Sequence, residues 1–156
     1  MHLSFLRELF PQYTVELYAE KDSERAEIRN KAFRDVITVH YWPEDYYIYH
    51  LLFATQHRDT SEKEELIEYV TAFANVEKAA IEFYENGRNR FGGEIETSQL
   101  DGLTYDGLRN NFGYSSVDIC NLTFQVRGWK KECCFDGAFI KDSSGTVQIV
   151  KTYTEE

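Results

Sequence analysis

Histidine and cysteine are the residues of this chain best suited to chemistry, and their spacing decides what they can do. His40 and His50 fall on neighbouring extended segments joined by Pro43-Glu44-Asp45. With that stretch as the turn, position 42 faces 46, 40 faces 48 and 38 faces 50. His40 and His50 are then diagonal neighbours on one face, too far apart for an easy two-histidine chelate. His57, an odd number of residues from His50, points to the other face. Ordinary sheet histidines, each satisfied by a neighbour, suit these positions better than a zinc site. Cys120, Cys133 and Cys134 contain no C-x-x-C, and two adjacent cysteines are wrongly spaced for one tetrahedral ion. An odd set of three argues against a disulfide framework and for reduced, core-packed thiols in a cytoplasm. No cofactor or metal is expected.

Carboxylate pairs such as Glu94 and Glu96 share a strand face, but neither glycosidase chemistry nor an EF-hand loop has its diagnostic spacing here. There is no G-x-S-x-G, no H-E-x-x-H and no dinucleotide fingerprint. Arg90-Phe91-Gly92-Gly93 lacks the Lys-Ser/Thr and the following helix of a phosphate loop.

The elements that position these residues read as follows. Leu3, Leu6, Leu9 and Phe10 before Pro11 predict a short helix near 2–10. Tyr13–Glu20 alternates as a strand, Arg25–Phe33 reads equally as a helical turn or a strand, and Arg34–Trp42 is strand-rich. Tyr46–His57 reads as one central strand, apolar on both faces. Ser61-Glu62-Lys63-Glu64 matches a capping box and opens the principal helix, about 61–75, with Leu66, Ile67, Val70, Phe73 and Ala74 as its apolar stripe. Asn86-Gly87 signals a hairpin between Ala80–Tyr84 and Arg88–Glu96, and Gly92-Gly93 suits a bulge or a close backbone approach. Thr104 caps a short helix over 104–111. Val117–Arg127 is a strand with Cys120, Leu122, Phe124 and Val126 inward. Lys130–Ile140 follows, kinked at Asp136-Gly137, and Asp142-Ser143-Ser144-Gly145 turns into Thr146–Thr152. The class is α+β with a mainly antiparallel sheet, in a single domain over residues 1–156.

Surface charge is the strongest signal. Twenty-seven acidic side chains oppose seventeen basic ones in 156 residues, a formal net charge of -10. Such a surface repels phosphate backbones and anionic membranes, so neither nucleic acid nor membrane is an expected partner. No run approaches the roughly 20 apolar residues of a membrane span. Asp59, Glu62, Glu64, Glu65 and Glu68 gather around one helix start. Glu94, Glu96, Asp101, Asp106 and Asp118 gather in the loosest stretch. Eleven Tyr and two Trp supply residue types that dominate binding hot spots. Glu62, Glu65, Glu68, Asp101 and Asp106 are therefore the candidate steering charges, with Trp42, Tyr46, Tyr105 and Tyr114 as candidate anchors. These features describe an acidic protein-binding module. The alternative is a small α+β enzyme or ligand-binding protein that uses a His/carboxylate pocket, and a homodimer through an exposed strand edge stays open.

The run Phe53-Ala54-Thr55-Gln56-His57-Arg58-Asp59, the helix from Ser61, then Ile81-Glu82-Phe83-Tyr84-Glu85-Asn86-Gly87 with Arg90-Phe91-Gly92-Gly93, resembles the strand-helix-hairpin layout of bacterial toxin-immunity proteins. Those proteins share a task rather than one motif, so no binding residue carries over. The resemblance implies a cytoplasmic inhibitor that covers the active surface of a nuclease or related toxin.

Overall fold

The computed structural model describes residues 1–50, 56–112 and 118–154. The class is α+β with antiparallel sheets. The backbone divides into two compact units, Met1–Asn75 and Val76–Glu155, each with a five-stranded sheet.

The first unit opens with α1 (Phe5–Leu9), which stops at Phe10 before Pro11. A meander follows: β1 (Thr14–Ala19), β2 (Glu24–Arg29), β3 (Val36–Tyr41), β4 (Tyr46–His50) and β5 (Gln56–Thr60), paired in that order. The ambiguous stretch after Arg25 is settled by its neighbours. Ala26 lies between Leu17 and Val39, and Ile28 lies between Val15 and Ile37, so only a strand puts both in the core. α2 (Lys63–Ala74) then buries Leu66, Tyr69, Val70, Phe73 and Ala74. Burial of a side chain such as Phe73 contributes roughly 1.5–3 kcal/mol.

Three expectations for this unit are corrected. The single strand Tyr46–His57 is two antiparallel strands, β4 and β5; Leu51–Thr55, which connect them, lie outside the described residues, as does the His57 side chain. The β3–β4 register is Tyr41↔Tyr46, one residue from the pairing expected. A slip of one residue exchanges faces. His40 therefore pairs with Tyr47 on the polar face, while His50 pairs with Ile37 in the apolar row Val15–Ile28–Ile37–His50. Finally, the capping box does not form. Glu62 is the N-cap residue and its side chain makes no cap bond. Thr60 acts instead: its Oγ1 accepts from the Glu62 amide at 3.0 Å and donates to Glu65 at 2.7 Å.

The second unit holds β6 (Lys78–Glu85), β7 (Arg88–Glu96), α3 (Tyr105–Phe112), β8 (Thr123–Arg127), β9 (Phe135–Lys141) and β10 (Val147–Tyr153). The sheet order is β10-β9-β8-β6-β7. Asn86 and Gly87 take φ of 50° and 79°, which the tight β6–β7 turn requires. Thr104 caps α3 as read, its Oγ1 accepting from the Gly107 amide at 3.1 Å. The bulge sits between Phe83 and Tyr84, opposite Arg90, and not at Gly92-Gly93. Gly92 is instead a close approach: the Glu82 side chain fills the space a Cβ there would need. β8 begins only at Thr123, because Ile119–Asn121 form a 3-10 turn; Val117 lies outside the described residues. Gly137 makes no break in β9, where its missing side chain admits the Phe124 ring. The core gathers Ile81, Phe83, Leu108, Phe112, Phe124 and Phe135.

Candidate functional site

A meander places alternate turns at one end of its sheet, and that geometry builds the site in the first unit. Glu24 pairs with Tyr41, and Tyr46 pairs with Thr60, so the turns after β1 and β3 and the entry to α2 share one end. That end carries Glu20, Asp22, Glu24, Glu44, Asp45 and Glu62, with Lys21 and Lys63 as the basic residues among the same loops. Glu64 and Glu65 continue the series into the first turn of α2, where a helix N-terminus favours carboxylates.

Trp42 stands in the middle turn, closed by its amide donating to the Asp45 carbonyl at 3.0 Å. Its side chain is 49% exposed, a large apolar surface left in water. Aromatic rings flank the turn in sequence. Tyr41 lies 4.9 Å from Tyr46 and 4.6 Å from the His2 ring, centroid to centroid. Glu24 fastens the N-terminus by accepting from the His2 and Leu3 amides at 3.1 and 3.2 Å. Lys63 turns its ammonium onto the Phe5 ring, 4.2 Å from the centroid, and offers it little to the carboxylates. Among the described residues, Glu44, Glu62 and Glu64 form no ion pair. The loop end thus keeps its negative field.

The expected residues separate on this background. Trp42, Glu62 and Glu65 lie at the same loop end of the sheet, and Glu68 is exposed one turn further along α2. Glu65 is partly committed, to Thr60 and to Arg58 at 3.8 Å. Tyr46 is corrected as an anchor: at 8% exposure its ring belongs to the core. Burial foremost, and then the neighbouring Tyr41, Glu64 and Glu24, push its hydroxyl above the ordinary tyrosine range.

The others lie in the second unit. Asp101 and Asp106 are exposed, and Asp106 pairs with Arg109 at 3.3 Å. Tyr105 is engaged at both ends, its hydroxyl donating to Asp118 at 2.8 Å and its ring set edge-on to Phe139 at 5.5 Å. Tyr114 lies outside the described residues. Glu20, Asp22, Glu44 and Asp45 went unread as site residues. Their signal was the alternation of turns, which assigns three loops to one side once the strands are counted correctly.

The residues with catalytic potential are placed differently. His50 Nδ1 is hydrogen-bonded to Asp35, and its ring lies 4.4 Å from that of Phe73. Exposures of 1% and 2% close this pair off from any substrate. It is a core His–carboxylate pair, missed by sequence because the register slip moved His50 to the wrong face. Cys133 and Cys134 are buried free thiols; Cys120 is half-buried, its thiol pushed up by the hydrogen bond to Asp118 and by burial, and so poorly nucleophilic. Among the described residues no helix is long and apolar enough to cross a membrane. No protein-family model matches the chain, and neither does any curated protein or solved structure with which it was compared.

Proposed function

We propose that this chain is an acidic protein-binding module, an immunity-type inhibitor that neutralises a basic, nuclease-like toxin in the bacterial cytoplasm. The observation that carries the reading is the exposed Trp42 indole on a loop end of the first sheet that also carries a series of carboxylates. A nuclease surface is positive because it must hold phosphates. Carboxylates imitate that ligand's charge, speed encounter and fix orientation, while a desolvated indole slows dissociation. The exposed carboxylates without ion pairs suit steering, since no internal cation has to be displaced first. The partner surface is expected to carry Arg or Lys around an apolar socket.

The test is binding of the purified chain to basic nuclease-type toxin domains across a salt series. Affinity is expected to fall steeply with salt. Trp42→Ala is expected to weaken binding by about 2 kcal/mol, mainly through faster dissociation. Glu62→Lys with Glu65→Lys is expected to slow association by about tenfold. Salt-insensitive binding, or Trp42→Ala binding at full strength, overturns the reading.

A further inference from the structure

Four strands lie at sheet edges among the described residues, and three of them carry the charges that keep an open edge from pairing. β1 has Glu16, β5 has Arg58 and Asp59, and β7 has Arg88, Arg90, Glu94 and Glu96. β5 and β7 are also broken by a register shift. β10 has neither device. Its sequence, VQIVKTY, pairs with β9 through seven unbroken positions. Its one charged residue, Lys151, is folded inward, Nζ donating to the Leu100 carbonyl at 2.6 Å and lying 4.9 Å from the centre of the Phe135 ring. The neighbouring surface leaves Ile140, Val150 and Tyr153 exposed at 53%, 44% and 53%.

We propose that β10 is the contact between two copies of this chain, pairing antiparallel about Val150 so that two sheets continue as one. A second copy is the occupant because the strand is complementary to itself when turned about its centre, and that contact must form where carboxylates are absent. Two molecules of formal charge -10 repel over most of their surface, and β10 offers them a strand with no carboxylate. The register follows from self-complementarity. Centred on Val150, Val150 meets itself, Gln148 meets Thr152, Ile149 meets Lys151, and Val147 meets Tyr153, a β-branched–aromatic pair. Centring on Lys151 sets lysine against lysine and is disfavoured. A two-fold axis through Val150 closes the assembly at two copies. The proposal is independent of the toxin reading.

Molar mass by light scattering and sedimentation equilibrium, over a wide range of protein concentration, tests it. The wild-type chain is expected to approach twice 18.3 kDa as concentration rises. Val150→Lys opposes two lysines on the axis and is expected to weaken association about tenfold or more, with an unchanged circular dichroism spectrum. Gln148→Glu combined with Thr152→Lys creates two opposite-charge pairs in this register alone and is expected to tighten it. All three positions are exposed, and Thr152→Lys sets a cation across from Asp136 within its own sheet, an attractive pair, so the fold tolerates the changes. A wild-type chain that stays monomeric overturns the proposal, as does a dimer indifferent to Val150→Lys. A weaker dimer in the Gln148→Glu, Thr152→Lys variant overturns the register.

Discussion

Asp118 shows how a single exposed carboxylate sets the behaviour of its neighbours. The Cys120 thiol beside it, the Cys120 amide it accepts from at 3.1 Å and the Tyr105 hydroxyl it accepts from at 2.8 Å together hold its carboxyl at about 2. The ionised form is therefore favoured in the native state. Its contribution to stability is complete above about pH 4, the unfolded value, and is lost as pH falls through about 2. The same hydrogen bonds hold the Tyr105 hydroxyl and the Cys120 thiol above their ordinary values. Asp118→Asn is expected to move the Tyr105 titration down, read by ultraviolet absorbance, and to speed Cys120 alkylation while buried Cys133 and Cys134 stay slow. A second residue-scale test concerns Glu82, fully buried, hydrogen-bonded by Asn89 and seated over Gly92. Gly92→Ala is expected to cost about 1–3 kcal/mol in chemical unfolding. Adding Glu82→Ala removes the clash, so the two changes together are expected to cost less than their sum.

The elements differ in how openly the sequence declares them. Asn86-Gly87 and Asp142–Gly145 are written in residue type, because positive φ at Asn86, Gly87 and Gly145 restricts the choice of side chain. Both hairpins were legible, as was the Thr104 cap. Pairing between strands is not written locally. The one-residue slip between β3 and β4 left each strand in place yet sent His50 to the wrong face, and with it the Asp35 pair. The division into β4 and β5 was hidden because the apolar run that begins at Tyr46 continues in sequence past the end of β4, whereas β5 is a polar edge strand. The start of α2 gives a direct measurement of such a difference. Thr60→Ala is expected to cost about 0.5–1 kcal/mol by removing the hydroxyl that holds the Glu62 amide. Ser61→Ala, a change at the residue the capping box nominated, is expected to stay within about 0.5 kcal/mol. Equal losses would restore the capping box.

At the scale of the molecule, charge acts on folding and on recognition with opposite signs. A net charge of -10 repels itself in the compact state, so added salt is expected to raise the thermal midpoint. The same salt weakens capture of a basic partner. A scan of melting and of binding against sodium chloride is expected to give slopes of opposite sign, and a midpoint that falls with salt would contradict self-repulsion. The acidic balance was legible from composition. The gathering of carboxylates at the sheet end that bears Trp42 was not, since it needs three turns from separate parts of the chain brought to one end of a sheet. The two tryptophans also differ sharply in surroundings, Trp42 standing in water and Trp129 only 5% exposed. Their emission therefore separates into a red, easily quenched component and a blue, shielded one, and iodide distinguishes the two without any label. A ligand seated over the outer indole would dim the red component and leave the blue one to report on unfolding.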